Sequence, residues 1–86
     1  MNYVVIDVRE PSEYAVRHVK SALNIPPERL LEGASELGGI PKDTPIIVYC
    51  RSGSRSNVAR IILQALGYSN ITNGINQQQV EAKFGL

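Results

Sequence analysis

The stretch Ile46-Ile47-Val48-Tyr49-Cys50-Arg51-Ser52-Gly53-Ser54-Arg55 joins an apolar, β-branched segment to the only cysteine of the chain, and then to small and basic residues. Directly after it, apolar residues recur on one face of a predicted helix: Val58, Ala59, Ile62, Leu63 and Leu66. The pattern predicts a buried strand that ends at the cysteine, a short loop, and a helix that begins near Ser54 or Ser56, either of which could cap it. The cysteine is therefore expected in front of a helix N-terminus.

A cysteine at this position is well placed to ionise. The first N–H groups of a helix have no partner within the helix, and the positive end of the helix dipole favours an anion. Arg51 and Arg55 add positive charge, so we expect Cys50 to hold a thiolate. Gly53 allows the backbone to come close to the sulfur. A buried structural cysteine is the alternative, but it would not explain the basic and small residues that follow.

The spacing of cysteine and arginine indicates which anion the loop binds. A cysteine-dependent phosphatase places its arginine six positions after the cysteine, and here that position is Ser56. The arginine is Arg55, so the ring of backbone amides is one residue shorter. A shorter ring is expected to fit a single sulfur atom on the cysteine better than a tetrahedral phosphate.

Composition limits the remaining possibilities. The 86 residues, with 43% hydrophobic and 20% charged, predict a single domain over residues 1–86. The net charge of +1 and the lack of a long apolar run predict neither a nucleic-acid partner nor a membrane-spanning segment. One cysteine and one histidine cannot form an internal disulfide or a His/Cys metal site. The N-terminus lacks the pattern of a signal peptide, which predicts a cytoplasmic protein, or a periplasmic one if an export signal was removed.

Strand-like and helix-like patterns alternate along the chain, which predicts an α/β fold: a small parallel sheet of about four to five strands flanked by helices. The apolar patterns predict strands over 3–8, 19–26, 46–50 and 68–72. Proline and glycine positions predict helices over 10–18, from 27 onward, from 54 or 56 to Gly67, and over 75–84, with a turn at Asn73-Gly74.

Four segments, in order, resemble the signatures of the rhodanese family of sulfurtransferases. They are Asp7-Val8-Arg9-Glu10-Pro11-Ser12-Glu13-Tyr14, the segment from His18 to Pro26, Cys50-Arg51-Ser52-Gly53-Ser54-Arg55, and Leu66-Gly67-Tyr68. The second signature departs from the family pattern at Arg17 and at Lys20-Ser21, and residues 73–78 lack the tryptophan that is usual there. These departures concern a local turn and the packing of the last helix.

The resemblance implies a rhodanese-like fold and a thiosulfate sulfurtransferase that works through a persulfide on Cys50, without a metal or organic cofactor. The donor would be thiosulfate or a similar small anion. The acceptor would be cyanide or a thiol, or a protein if the domain is a carrier. Arg51 would steer the donor at the mouth of the pocket. Arg55 would brace the loop of Ser52, Gly53 and Ser54 by pairing with an acidic residue such as Asp7.

Three residues outside the loop receive weaker assignments. Asp7 lies at the carboxyl end of its predicted strand, the edge at which ligands bind in open α/β sheets. It could support the loop, together with Arg9, or only cap a turn. His18 could form a Cys-His pair, but in the family the matching histidine is structural.

Three other functions compete with small-molecule sulfur transfer. A sulfane-sulfur carrier would pass its persulfide to a protein partner and cannot be separated from an enzyme by sequence. A phosphatase or arsenate reductase of similar topology is disfavoured by the length of the loop. A catalytically inactive regulatory domain is disfavoured by the presence of Cys50.

Overall fold

The computed structural model describes residues 3–86. The strands are β1 (Val4–Asp7), β2 (Leu23–Asn24), β3 (Ile46–Cys50) and β4 (Ile71–Asn76). The helices are α1 (Pro11–Val16), α2 (Pro27–Leu31), α3 (Ser54–Ala65) and α4 (Gln77–Phe84), with a 3₁₀ turn at Ser35–Leu37. None of the described helices is long and apolar enough to cross a membrane.

The four strands form one parallel sheet in the order β2-β1-β3-β4. The predicted α/β fold with a small parallel sheet is thus confirmed. The strand β3 lies in the interior of this sheet between β1 and β4, and all five of its residues are buried. This explains why its sequence is apolar without interruption, since both of its faces are covered.

Side chains of β3 alternate between two cores on the two faces of the sheet. Ile46, Val48 and Cys50 belong to the core that also contains Leu30 of α2 and Leu63 of α3. On the opposite face, Ile47 and Tyr49 pack with Val5, Val19 and Val80, and with the partly buried Tyr14 and Phe84. The period of two along a strand therefore places the side chains of Cys50 and Tyr49 on opposite faces of the sheet.

The helix α3 follows the predicted pattern with two corrections. Ala59 and Leu63 are fully buried, but Val58 is 49% exposed and lies outside the buried face. The predicted serine cap is wrong, because the N-cap residue is Gly53 and its left-handed φ of +97° is a conformation that suits glycine. At the other end, Gly67 follows the C-cap with φ +103°, which confirms it as the residue that stops the helix.

The strand β4 begins later than predicted and contains the residues predicted to turn. Tyr68 packs into the core beside α3 instead of pairing in the sheet, and its N–H donates to Leu63. Asn73 and Gly74 remain in the strand, where the register between β3 and β4 shifts by one residue to leave Gly74 as a bulge. A side chain at Gly74 would collide with Val80, so glycine is needed there.

The strand β2 is shorter than predicted, and only Leu23 and Asn24 pair with β1. Its predicted first residue, Val19, donates its N–H to the hydroxyl of Tyr49 instead of to a neighbouring strand. Ser21 then adopts φ +73°, which is outside the extended region. The segment before Leu23 is therefore held to the sheet by a side chain and a turn.

Candidate active site

The candidate site forms where β3 ends and α3 begins, at the carboxyl edge of the parallel sheet. Cys50 is the last residue of β3, and Gly53 is the N-cap of α3. The helix therefore points its free N–H groups and the positive end of its dipole at the cysteine, as predicted. Cys50 is free and only 1% exposed, so a reactant must approach through the loop itself.

Backbone N–H groups of the loop and of the first turn of α3 donate to the sulfur. The Gly53 nitrogen lies 3.1 Å from Cys50 Sγ, and the Ser56 nitrogen lies 3.4 Å from it. The Ser56 hydroxyl oxygen is a further 3.4 Å contact of the sulfur. Because the N–H groups are fixed by the turn and the helix, they need no rearrangement to stabilise a negative charge on the sulfur.

These donors set the ionisation of the cysteine. Burial raises the pKa of the Cys50 thiol, but this effect is outweighed by hydrogen bonds that stabilise the thiolate. The donors are the Ser56 hydroxyl, when it faces the sulfur, and the backbone N–H groups of Ser56, Ser52 and Gly53. The resulting pKa is about 7, below the usual value of 9.0. A large fraction of the cysteine is therefore thiolate at neutral pH, which is the nucleophilic form.

Asn73 connects the loop to β4. Its Nδ2 group donates to the Gly53 carbonyl oxygen at 3.0 Å, and its Oδ1 atom accepts from the Ser56 hydroxyl at 2.7 Å. The same Oδ1 atom accepts from the Ile75 N–H at 3.0 Å. Ile75, the residue after the bulge, has a positive φ of +76°. Its side chain lies beside Gly53, so the end of β4 packs against the cysteine loop.

Arg55 has an acidic partner, as predicted, but this partner is Glu13 and not Asp7. Its guanidinium binds both carboxylate oxygens of Glu13, at 2.8 and 3.3 Å. Asp7, the acidic partner named from the sequence, is paired with Arg9 instead. Glu13 lies on α1, so this ion pair connects α1 to the first turn of α3. The hydrogen bond from Arg55, followed by one from the backbone N–H of Glu10, lowers the pKa of Glu13 to about 2.

The other loop side chains face solvent. Arg51, Ser52 and Ser54 are exposed, and the hydroxyls of the two serines lie 3.4 Å apart. Among residues 3–86, Arg51 has no ion-pair partner. The structure thus separates the two arginines of the loop into one that is paired and one that is exposed.

Asp7 and Arg9 form a second buried network on the opposite face of the sheet. Asp7 is fully buried and binds the Arg9 guanidinium with both oxygens, at distances of 2.8 to 3.2 Å. Tyr49 donates its hydroxyl to Asp7 at 2.8 Å and accepts the Val19 N–H. None of the contacts described for the sulfur involves Asp7 or Arg9. Asp7 is linked to the loop through Tyr49, the residue before Cys50. Their supporting role remains a prediction.

His18 is placed in a structural position. Its ring stacks on Tyr14 with centroids 3.7 Å apart, and its Nδ1 atom is 2.8 Å from the Tyr14 carbonyl oxygen. None of the contacts described for the sulfur involves this ring. Across residues 3–86, no three His, Cys, Asp or Glu side chains cluster in a way that could hold a metal ion.

Comparison with known proteins places this cysteine loop in a family. The rhodanese-like domain family matches residues 1–77. The chain belongs to this family. A solved structure described as a rhodanese with anions from E. coli superposes on it with a TM-score of 0.80 and 32% identity, covering 90% of this chain and 89% of that one. The rhodanese-like fold predicted from the motifs is confirmed.

Two curated relatives of this rhodanese-like domain are sulfurtransferases by name. A thiosulfate:glutathione sulfurtransferase of Saccharomyces cerevisiae is 39% identical over 80 residues, which cover 80% of this chain and 57% of that protein. The thiosulfate sulfurtransferase PspE of Escherichia coli is 38% identical over 68 residues, covering 79% of this chain and 64% of that protein. The chain therefore spans about three fifths of the length of these relatives.

Two residues of this site are not assigned to it by the sequence: Ser56, which contacts the sulfur, and Asn73, which contacts Ser56. The sequence predicts Ser56 as a possible helix cap and Asn73 as part of a turn. The chain did carry one signal for Asn73, since an Asn-Gly pair after an apolar strand is also compatible with a bulge. The contact between Asn73 and Ser56 depends on the pairing of β4 with β3, which local sequence does not reveal.

Proposed function

We propose that this rhodanese-like domain is a sulfurtransferase that carries a sulfane sulfur as a persulfide on Cys50. The observation that carries the proposal is the convergence of the Gly53 and Ser56 N–H groups on Cys50 Sγ. A pKa of about 7 supports it, because the thiolate is available at neutral pH without a general base. Family membership and the names of the relatives support the same reaction.

In the first half-reaction, the Cys50 thiolate attacks the outer sulfur of thiosulfate. A new S–S bond forms to Cys50, the bond between the two sulfurs of thiosulfate breaks, and sulfite leaves with that bonding pair. The three negative charges of the reactants become one on the persulfide and two on sulfite. The loop N–H groups stabilise the persulfide anion, as oxyanion-hole donors stabilise an oxygen.

In the second half-reaction, a nucleophile attacks the outer sulfur of the persulfide. Cyanide would leave as thiocyanate, and a thiolate would leave as a new persulfide; in both cases the electron pair of the broken S–S bond returns to Cys50. The cysteine is then again a thiolate in the same ring of donors. The cycle needs no redox partner or metal, since every electron pair is accounted for by the two substrates.

Thiosulfate is the donor that the charges around the loop favour. It is a small dianion, and the exposed Arg51 lies next to the nucleophile without a partner among residues 3–86. Arg55 is already neutralised by Glu13, so we assign donor attraction to Arg51 and bracing of the loop to Arg55.

Intact-mass spectrometry after incubation with thiosulfate tests the proposal, with Cys50→Ser as the control. We expect one added sulfur atom on the wild-type protein, its removal by cyanide with release of thiocyanate, and no added sulfur on the control. Wild-type protein that gains no sulfur would refute the proposal. A persulfide that forms but is not released to cyanide or small thiols would favour the carrier, and turnover of p-nitrophenyl phosphate would favour a phosphatase.

A further inference from the structure

The Ser56 hydroxyl lies between two acceptors and has one proton to donate. Its oxygen is 2.7 Å from Asn73 Oδ1 and 3.4 Å from Cys50 Sγ. Ser56 is fully buried, so water does not supply a third partner at its surface. The hydroxyl can therefore donate to the amide oxygen or to the sulfur, but not to both at once.

The orientation of the Asn73 amide is determined by the backbone on both sides. The Gly53 carbonyl can only accept, so the atom of Asn73 that faces it must be Nδ2. The Ile75 N–H can only donate, so the atom that faces it must be Oδ1. An exchange of the two amide atoms would lose both bonds. Oδ1, the acceptor atom of the Asn73 side chain, therefore faces the Ser56 hydroxyl.

This arrangement matches a neutral thiol. When the Ser56 proton points to Asn73, the hydroxyl oxygen presents a lone pair to Cys50, and the thiol S–H can donate to it. A thiolate or a persulfide anion in the same place would instead face that lone pair, which is repulsive. The sulfur gains a donor only if the hydroxyl turns away from Asn73.

We propose that Asn73 is a positioning residue that competes with Cys50 for the Ser56 hydroxyl, so that the hydroxyl donates to Asn73 while the sulfur is protonated and turns to the sulfur when it is anionic. For its catalytic meaning this inference rests on the proposed sulfur transfer. The competition itself is a property of three side chains and can be tested without any substrate. The N–H groups of Gly53 and Ser56 donate in both states, so the hydroxyl is the one donor that changes.

The charged groups around the sulfur are the same in both states of the hydroxyl. Arg55 of α3 interacts with the charge of Cys50, and Glu13 of α1 pairs with Arg55. Asp7 and Arg9 lie with Tyr49 on the other face of the sheet. Variants at residues 56 and 73 alter none of these charges when alanine is introduced.

A double-mutant cycle on Asn73→Ala and Ser56→Ala tests the competition. The readout is the pKa of Cys50, measured as the pH dependence of thiolate absorbance with Cys50→Ser as the blank, and checked by the rate of iodoacetamide alkylation. The single cysteine makes both signals specific. In the wild-type protein we expect a midpoint near pH 7.

We expect Asn73→Ala to lower this pKa by about half a unit to one unit, the size expected for one hydrogen bond, because the hydroxyl is then free to donate to the sulfur. Ser56→Ala should raise it by a similar amount. With Ser56→Ala already present, Asn73→Ala should no longer lower it. If Asn73 only holds the loop in shape, its removal shifts the pKa equally in both backgrounds, and that result overturns the inference.

If Asn73→Ala does not fold, Asn73→Asp provides the same test with the opposite sign. The carboxylate still accepts from Ser56 and Ile75 and holds the hydroxyl more strongly, so the pKa of Cys50 should rise. The rise should be larger with Ser56 present than in Ser56→Ala, where only the added charge and the lost bond to the Gly53 carbonyl act. Equal rises would overturn the inference. A persulfide that fails to form from thiosulfate would contradict the proposed function while leaving these titrations interpretable.

Discussion

Two buried polar groups, Cys50 and Asp7, lie near the same edge of the sheet but on opposite faces, and they differ in how they are partnered. Asp7 is 0% exposed and receives Arg9 and Tyr49, so its charge is matched by a guanidinium. Cys50 is 1% exposed and receives only neutral donors, while the nearby Arg55 is bound to Glu13. Two groups of equal burial thus form a closed ion pair on one face of the sheet and a sulfur without a counter-ion on the other.

The difference in partners distinguishes the structural role that we expect for Asp7 from the catalytic role proposed for Cys50. A buried charge with a bonded counter-ion is held in place, and removing it strands its partner. A buried sulfur surrounded by amides is stabilised as an anion but keeps its lone pairs for a reaction. Substitutions on the two faces should therefore affect different properties. A change at Cys50 should mainly reduce activity, and a change at Asp7 should mainly reduce stability.

The largest effect on activity is expected for Cys50→Ser. Serine is close to cysteine in size, but its hydroxyl is almost never ionised at neutral pH and cannot form a persulfide. Release of thiocyanate from thiosulfate and cyanide should fall to background, while the melting temperature changes little. Activity that survives in the purified variant would remove Cys50 from the role of nucleophile and end the comparison between the two faces.

The largest effect on stability is expected for Asp7→Ala. It leaves the Arg9 guanidinium and the Tyr49 hydroxyl without their shared acceptor, and breaking a buried ion pair typically costs about 3 to 5 kcal/mol. Urea denaturation measures this loss. The matched control is Asp43→Ala, at an exposed loop position, for which we expect little change. Similar stability of the two variants would show that the Asp7 network is not a structural centre.

A smaller and mixed effect is expected for Arg55→Ala. The ion pair with Glu13 is half-exposed, with 38% and 27% of the two side chains accessible, so its loss should lower the free energy of unfolding by about 1 kcal/mol. For a domain of this size, that corresponds to a fall of about 4 to 8 °C in melting temperature. The kcat should also fall, because the first turn of α3 would no longer be held against α1.

The pH dependence of this stability difference identifies the ion pair as its cause. The pKa of Glu13 is lowered from 4.5 to about 2, so its stabilising effect is complete above about pH 4.5 and is lost as the pH falls towards 2. The wild-type protein and Arg55→Ala should therefore converge in stability over that range. Arg60→Ala, with the same change of charge on the same helix, should show no such convergence.

Much of this site could be predicted because its main elements are local in sequence. The apolar residues Ile46–Cys50, the glycine at position 53 and the periodic helix after it each determine their own conformation. Their order along the chain already places the sulfur before a helix N-terminus. The predicted position of Cys50 and the parallel sheet around it were confirmed for this reason.

The partners of the loop could not be predicted because they come from distant elements. Glu13 lies 42 residues from Arg55 in the chain, and it is available to Arg55 whereas Asp7 is already paired with Arg9. Asn73 reaches Ser56 because it pairs with Val48 of β3, which places its side chain on the face of the sheet that Cys50 and α3 share. Such contacts are consequences of the assembled sheet.

The smallest effect is expected for Arg51→Ala, and it sharpens the contrast with Arg55. Arg51 is exposed, so its charge acts on an approaching dianion through solvent and is screened within a Debye length of about 8 Å at physiological ionic strength. A unit charge about 4 Å from a dianion in water contributes about 2 kcal/mol, which screening reduces to about 1 kcal/mol, and this corresponds to about a fivefold rise in the KM for thiosulfate.

The measurements that separate the two arginines are the melting curve and the salt dependence of kcat/KM. Arg51→Ala should leave the melting temperature unchanged and make kcat/KM for thiosulfate less sensitive to salt, because the charge that attracts the donor is gone. Lys20→Ala is the matched control, since it removes an exposed positive charge that lies beside Tyr3 and Leu86 instead of the loop. If Arg51→Ala instead melts at a lower temperature and Arg55→Ala only binds thiosulfate more weakly, the roles of the two residues are reversed.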